Sequence, residues 1–493
     1  METFVNPLYG GEDPFIIKGN DGFYYHCAEA PGAVGINIYK SKKLTDRGVM
    51  KRVFTAPADG WNSHDVWAPE MWYLQGKWYI YYAASCATGM ENWQQHRMGV
   101  LEADNPMGPY HDKGMLELGD YMAIDGTILQ LDDGSLYIIY MRRETPTSPL
   151  CLYIAPMDNP YHVCGEPCLL SQPEYPWEGI INEGPIPVNR NGKIRILYSA
   201  NSAGSPDYCL AALCCKNPSR ILERDSWEKL SYPLFKAKGN IIGPGHASFT
   251  TSPDGSEDWL VYHSKSNHLT DWPACWNRVV NIQKFTWDEE NALPIFGDPI
   301  PFGIPQSLPS GQQETPLGEF FKDDFTGSND GWMELNYFAG DSIKMNDGRY
   351  TLDASLDPDY GEKVIVRDMQ WTNFTLETSF HIGTGGKAGI LFRATNFGDR
   401  KQLYTGYAVM VSDMGLIQLG YSLRHCFEEL AQINVETRDI YNIKIITKDE
   451  NIAVFLDENK ILSLNNTLFN KGFVGLIAED SCSSFLHFHI QQL

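Results

Sequence analysis

The sequence predicts an all-β protein in which a five-bladed β-propeller is followed by a two-sheet β-sandwich. Helical periodicity is nearly absent, and short runs of alternating apolar and aromatic residues end in Asx-Gly or other glycine turns. Such runs are typical of β-hairpins. In addition, one strand–turn–strand pattern recurs along the first part of the chain. With 493 residues the chain can bury a large core without disulfides or zinc.

The recurring pattern opens with a polar residue, continues with a short apolar strand and a glycine turn, and closes with an aromatic strand. Successive copies begin 57, 55, 58 and 63 residues apart, at Asp13, Glu70, Asp125, Glu183 and His246. Near-equal copies of antiparallel strands indicate radial repetition, which predicts a propeller over about residues 1–305. A single large sandwich with chance similarity is the alternative.

The propeller geometry predicts that the polar residues opening the copies lie near its axis. Equivalent positions of the blades face the centre, so the four acids and one histidine that open the copies are expected to face one pocket. Buried carboxylates repel one another and lose hydration, and this cost is more often tolerated at a functional site. For any one acid alone, a solvated loop or a strand-end cap is the alternative.

Paired carboxylates across a pocket are what glycoside hydrolysis requires. One protonates the leaving oxygen, and the other activates water or attacks carbon. Sugar pockets also need aromatic platforms, and the loops supply Trp61, Trp67, Trp93, Trp177 and Trp272. Each tryptophan taken alone is better explained by core packing.

Five short motifs follow one another at blade spacing: Asp13-Pro14, Trp67-Ala68-Pro69, Ile124-Asp125-Gly126, Glu183-Gly184-Pro185 and Gly245-His246. In this order they resemble family 43 of the glycoside hydrolases. The resemblance implies a five-bladed propeller and an inverting mechanism. In that family Trp-Ala-Pro is commonly followed by Asp, whereas this chain has Glu70.

The resemblance also implies roles for three carboxylates. Asp13 is expected to be the general base that activates water, and Glu183 the general acid. Asp125 is expected to orient the acid and keep its pKa raised, because a nearby negative charge disfavours ionisation. Inversion predicts a separation of about 6.5–9.5 Å between the carboxyl groups of Asp13 and Glu183.

Three further residues are expected to bind substrate: Trp67, His246 and Arg278, the last through the sugar in the −1 subsite. By the same resemblance, His246 faces a central cation, commonly calcium, mostly through water. A hard cation would ease the crowding of carboxylates. A hydrogen-bonded core histidine and a structural arginine are the alternatives. The chemistry itself is expected to need no cofactor.

Residues 306–321 are polar and rich in Pro and Gly, which predicts a linker. The following short alternating strands predict a sandwich over residues 322–493. Within it, residues 389–394 (GILFRA) and 406–409 (GYAV) resemble concanavalin-like modules, including family 66 carbohydrate-binding modules. Sugar binding, support of the active site and dimer contacts all remain open for this domain.

The charge and the chain start restrict the partners. Lys+Arg 39 against Asp+Glu 62 gives −23, which argues against nucleic acid and anionic membranes. The first residues lack the basic and apolar regions of a signal peptide, and no stretch approaches the ~18–20 apolar residues of a membrane span. We therefore expect a cytoplasmic protein, or an extracellular one if a leader has been removed. The 11 irregularly spaced cysteines predict reduced thiols.

Together these features predict an exo-acting glycosidase that releases a terminal pentose. Exo-action is favoured because a cytoplasmic enzyme meets imported oligosaccharides rather than polymers. The resemblance to family 43, whose members mostly act as α-L-arabinofuranosidases or β-D-xylosidases, implies the pentose, and we favour an α-L-arabinofuranosidase acting on arabinose-containing oligosaccharides. A β-D-xylosidase is the alternative. A β-fructosidase uses the same propeller, but its Arg-Asp-Pro and Glu-Cys motifs are missing here. A non-catalytic sugar-binding propeller would have lost one of the three carboxylates. The oligomeric state is left open.

Overall fold

The computed structural model of the chain describes residues 3–265, 277–335, 342–356, 361–397, 401–423 and 426–493. The chain divides into two compact units, Met1–Gln312 and Gln313–Leu493. The described residues contain no α-helix, and their only helical segments are the 3₁₀ turns Pro31–Ala33, Met90–Gln95, Pro176–Glu178, Pro218–Arg220 and Arg224–Ser226. None of these helices is long and apolar enough to cross a membrane. The all-β prediction is confirmed.

The first unit contains five antiparallel sheets of four or five strands, which are the blades of a propeller, and one two-stranded sheet. The first strands of neighbouring blades contact one another in a closed ring. The strands of the first two blades are Phe15–Lys18, Tyr24–Glu29, Gly35–Ser41 and Val49–Thr55, then His64–Leu74, Lys77–Ser85, Arg97–Ala103 and His111–Met115. The third blade has Met122–Gln130, Leu136–Arg143, Cys151–Asn159, His162–Val163 and Cys168–Ser171. The last two have Asn182–Arg190, Lys193–Ala200, Cys209–Cys215 and Trp227–Lys229, then Ile242–Thr251, Asp258–Lys265, Arg278–Asp288 and Leu293–Ile295.

The chain start closes the ring. Tyr9–Gly10 pairs with Arg278–Asp288 of the fifth blade, and Thr3–Phe4 pairs with Gln306–Ser307. The first of these pairings brings the segment around Asp13 to the beginning of strand Arg278–Asp288. Residues 306–312, predicted as part of the linker, belong to the propeller unit.

Polar and apolar residues alternate only weakly in the second strands of the blades, and the third blade shows why. In Leu136–Arg143, Ile138 and Tyr140 pack into a core shared with the second blade. Ile139 and Met141 point the other way, into a core shared with the fourth blade. Because both faces of the strand are covered, nearly every residue in it is apolar.

The second unit is a sandwich of two antiparallel sheets around one core that includes Trp332 and Trp371. The strands of one sheet are, in order, Ile343–Asn346, Arg349–Asp353, Cys482–Gln492, Phe374–His381, Tyr441–Lys448, Asn451–Leu456 and Asn459–Asn465, and Phe320–Asp323 also pairs with Cys482–Gln492. The other sheet runs Trp332–Glu334, Gly361–Val366, Phe473–Glu479, Lys387–Thr395, Thr405–Ser412, Leu416–Leu423 and Cys426–Asn434.

Candidate active site

A β-bulge interrupts the innermost strand at or beside Asp125, Glu183 and His246. In the third blade Ile124 pairs with Met141 and Thr127 pairs with Ile139, so two residues, Asp125 and Gly126, stand opposite one. The innermost strands of the fourth and fifth blades shift register in the same way. Bulges are common next to active sites because they redirect a side chain.

The backbone at these positions is unusual for residues with a side chain. The φ angles are 44° at Asp13, 56° at Asp125 and 37° at His246. Left-handed φ is uncommon outside glycine and concentrates at functional sites. Such conformations persist only where the surrounding structure enforces them.

The residues that open the five copies are not strictly equivalent, which corrects the prediction from the repeat. At the bulge position of Asp125, the second blade has Ala68 and the fourth has Gly184, both with positive φ. Glu183 thus lies one residue before the bulge position, and Glu70 two residues after it. Aligning the acids misses this offset, because each bulge inserts a residue that the strand pattern does not show.

Asp13 is surrounded by nitrogen groups. Its Oδ1 lies 2.9 Å from Arg278 Nη1, 3.1 Å from His263 Nδ1 and 3.2 Å from His246 Nδ1. The second Arg278 nitrogen pairs with Glu12. Burial raises the pKa of Asp13, but the charge of His246 and the contact with His263 outweigh it, and the net pKa is lowered. Asp13 is therefore ionised at neutral pH, as a general base must be.

Glu183 has the opposite protonation. Burial, followed by the negative charge of Asp125, raises the pKa of Glu183 to about 8. The hydroxyl of Tyr208 donates to its Oε1 at 2.8 Å. A carboxyl group with this pKa still holds its proton at neutral pH and can donate it.

Asp125 is hydrogen-bonded to the backbone beside Glu183. Its Oδ2 accepts a hydrogen bond from the backbone N–H of Gly184, the residue after Glu183, at 3.0 Å. Burial raises the pKa of Asp125, while the charge of His246 opposes that rise. The side chain is 4% exposed, so its charge acts on Glu183 with little screening by water.

Two buried histidines differ in charge. Burial lowers the pKa of His246, but the surrounding acids, first Asp13 and then Asp125, raise it to about 9. His246 is thus an imidazolium at neutral pH. His263 is neutral, because burial lowers its pKa more than Asp13 raises it. Its Nδ1 also lies 3.1 Å from the backbone nitrogen of Asp13.

Calcium is the cation that the resemblance to family 43 implies near His246. In the described part of the chain, no three His, Cys, Asp or Glu side chains are arranged to hold a metal ion directly. The His246 Nδ1 is directed at Asp13, and its positive charge offsets the carboxylates that a cation would neutralise. The donor set therefore does not fit a directly coordinated calcium ion. A water-held ion stays a prediction.

Glu70 is a fourth acid on the axis, 6% exposed. Its Oε2 accepts from Trp72 Nε1 at 3.2 Å. Burial, reinforced more weakly by Asp125, raises the pKa of Glu70 to about 8. This carboxyl is therefore largely neutral at pH 7 and adds little negative charge to the site.

The tryptophans predicted as aromatic platforms have different surroundings from one another. Trp67 is half-buried and stacks on His96, with ring centroids 4.1 Å apart and planes at 18°. Trp93 meets Trp67 edge-on at 6.2 Å. Trp61 stacks on Tyr82, and the indole nitrogen of Trp177 donates to a backbone carbonyl. Trp272 lies outside the described residues.

Sequence reasoning missed two residues of this site, Tyr208 and His263. Neither belongs to one of the five motifs, since Tyr208 precedes strand Cys209–Cys215 and His263 lies in the second strand of the fifth blade. A histidine at the end of an aromatic strand, in Val261-Tyr262-His263, is the only signal in the sequence. Their contacts join residues that are far apart in the chain.

The fold is a five-bladed propeller, and its site brings together Asp13, whose pKa is lowered, and Glu183, whose pKa is raised to about 8. The model of "Glycosyl hydrolases family 43" matches residues 4–293. The chain belongs to this family. Residues 321–491 match a second family model, "3-keto-alpha-glucoside-1,2-lyase-like domain".

Known proteins similar to this chain include an "Extracellular exo-alpha-(1->5)-L-arabinofuranosidase" of Streptomyces avermitilis, 35% identical over 321 residues. The match covers 61% of this chain and 65% of that relative's length. The solved α-L-arabinofuranosidase of Lactobacillus brevis is 34% identical, with a TM-score of 0.57, over 61% of this chain and 98% of the other. The GH43 BlXynB protein of Bacillus licheniformis matches all of both chains at 16% identity and a TM-score of 0.60, which shows the fold alone.

Proposed function

We propose that the chain is an inverting, exo-acting glycoside hydrolase that releases terminal α-L-arabinofuranosyl residues from arabinose-containing oligosaccharides. The observation that carries the reaction class is that one cluster of side chains lowers the pKa of Asp13 and raises that of Glu183. Two carboxyl groups whose environments drive their pKa values apart are the basis of acid–base assignment. The names of the relatives support the choice of sugar.

In the proposed mechanism, Asp13 removes a proton from a water molecule while the water oxygen attacks the anomeric carbon. Glu183 gives its proton to the glycosidic oxygen as the bond from carbon to that oxygen breaks. The water enters from the face opposite the leaving group, so the configuration inverts. Asp13 ends protonated and Glu183 ionised, and exchange with solvent restores both. The separation of about 6.5–9.5 Å between these carboxyl groups stays a prediction.

The surrounding residues hold these two charge states. Arg278 and His246 contact the Asp13 carboxylate and keep it ionised, and Asp125 disfavours ionisation of Glu183. We also propose that Trp67, His246 and Arg278 contact the sugar. Because Arg278 already donates to Asp13, it would align the base with the sugar that the base serves.

The test is hydrolysis of 4-nitrophenyl α-L-arabinofuranoside and of an α-(1→5)-linked arabinobiose, with 4-nitrophenyl β-D-xyloside as the competing substrate. We expect preference for the arabinosides, and Asp13→Asn to lose about 10²–10⁴-fold on both. Glu183→Gln should lose as much on arabinobiose but less on the aryl substrate, whose leaving group needs little protonation. Proton NMR of the first-formed sugar should show the inverted anomer.

Several outcomes contradict this proposal. Preference for the xyloside would favour the β-D-xylosidase alternative, and retention of configuration would exclude the inverting mechanism. Full activity in Asp13→Asn would remove the base assignment. Binding of arabino-oligosaccharides without hydrolysis would indicate a sugar-binding propeller. Action in the cytoplasm is part of the proposal and is checked by locating the protein in fractionated cells.

A further inference from the structure

Tyr208 lies directly against the candidate acid. Its side chain is fully buried, and its hydroxyl donates to Glu183 Oε1 at 2.8 Å. Burial and the negative charge of Glu183 raise the pKa of Tyr208 well above its ordinary value. The phenol therefore stays protonated and remains a hydrogen-bond donor throughout the pH range in which enzymes work.

The ring of Tyr208 is fixed on two sides. It stacks on His263 with centroids 5.5 Å apart and planes at 10°, and His263 Nδ1 lies 3.1 Å from Asp13 Oδ1. On the other side is Gly245, where an added Cβ would come within 2.3 Å of the ring atom Cε1. One aromatic stack thus links the acid and the base, and the hydroxyl has little freedom to move away from Glu183.

This hydrogen bond gives the two carboxyl oxygens of Glu183 different roles. When the carboxyl is protonated, Oε1 is already an acceptor, so the acidic proton belongs on Oε2. When the proton has passed to the leaving oxygen, Oε1 carries negative charge and the bond from Tyr208 becomes charge-assisted, which makes it about twice as strong. An interaction that strengthens as the reaction proceeds accelerates it.

We propose that Tyr208 is a positioning residue that makes Oε2 the proton-donating oxygen of Glu183 and stabilises the carboxylate left after proton transfer. The inference rests on the proposed function, because it assigns Tyr208 to the acid half of that reaction. It adds a residue outside the five sequence motifs, and it gives Gly245 a reason to be glycine.

The experiment compares Tyr208→Phe with wild type on arabinobiose and on 4-nitrophenyl α-L-arabinofuranoside. We expect kcat on arabinobiose to fall about 10–100-fold with KM changed less than about threefold, since one charge-assisted hydrogen bond is lost. The loss on the aryl substrate should be below about threefold. The basic limb of the pH profile should move upward, because Tyr208 helps to lower the Glu183 pKa.

Tyr262→Phe is the matched control. Tyr262 is also fully buried in the propeller, and its hydroxyl has no hydrogen-bond partner among the described residues. The same substitution there removes a buried hydroxyl without touching Glu183. It should leave kcat on both substrates and the basic limb where they are in wild type.

Gly245→Ala is a second route to the same loss if Tyr208→Phe folds poorly, since it keeps the hydroxyl but displaces the ring. It should reproduce the selective loss on arabinobiose. Equal losses on both substrates with an unmoved pH profile would show a merely structural role and overturn the proposal, as would a Tyr208→Phe enzyme indistinguishable from Tyr262→Phe. If wild type hydrolyses neither arabinoside, the proposed function fails instead.

Discussion

Replacing Asp125 by Asn tests what keeps the proton on Glu183. Asn keeps the shape of Asp125 and an oxygen that can accept from Gly184 N–H, so chiefly the negative charge is removed. That charge is the second cause, after burial, of the raised Glu183 pKa. The protonated acid is lost as pH rises through its pKa, so the variant should lose activity at a lower pH than wild type.

The magnitude follows from the two pKa values. An acid with the ordinary pKa of 4.5 is about 0.3% protonated at pH 7, whereas one with a pKa of about 8 is about 90% protonated. The environment of Glu183 is therefore worth at most about 300-fold at that pH. Burial remains in the variant, so we expect the midpoint of the basic limb to move to lower pH by on the order of one unit. At pH 8 this shift lowers the rate about fivefold.

The assay is kcat/KM on arabinobiose from pH 5 to 10, with Glu70→Gln as the control. Glu70 is a buried acid of the same axis whose own pKa is about 8. Because Glu70 is not among the causes of the Glu183 shift, its replacement should leave the basic limb at the pH of wild type. A basic limb that stays put in Asp125→Asn, or moves equally in Glu70→Gln, would refute the reasoning.

Two further predictions concern stability and are measured by urea or thermal unfolding. Lys229→Met leaves the buried carboxylate of Glu178, now 2.8 Å from Lys229 Nζ, without its cation. This should destabilise the propeller by about 3–5 kcal/mol. Lys284→Met, which breaks the pair of the exposed Lys284 with Glu257, should change stability by less than about 1 kcal/mol. Equal effects would contradict this. Gly389→Ala places a Cβ 1.9 Å from the backbone oxygen of Val409. It should destabilise the sandwich by about 1–3 kcal/mol, and an unchanged transition, as expected for Gly327→Ala in open space, would show that the strands can separate.

Local patterns in the sequence were enough for the fold. Strands and turns follow from residue alternation and from glycine, and a strand such as Leu136–Arg143 is apolar throughout because both of its faces are covered. Repetition at near-equal spacing then predicts radial packing without knowledge of any single contact. The same spacing, together with the motifs, is enough to predict that Asp13, Asp125 and Glu183 meet on one axis.

What the tertiary structure alone decided is the alignment and the protonation of these groups. A bulge adds one residue without changing the strand pattern, so the offset of Glu70 and Glu183 from the bulge position is invisible in the sequence. The contacts of Asp13 with His246, His263 and Arg278 join positions more than 230 residues apart. A pKa depends on burial and on such neighbours, and neither is a property of local sequence. For that reason the resemblance predicts Glu183 as the acid and Asp13 as the base, whereas the burial and the contacts that shift their pKa values are found only in the folded chain.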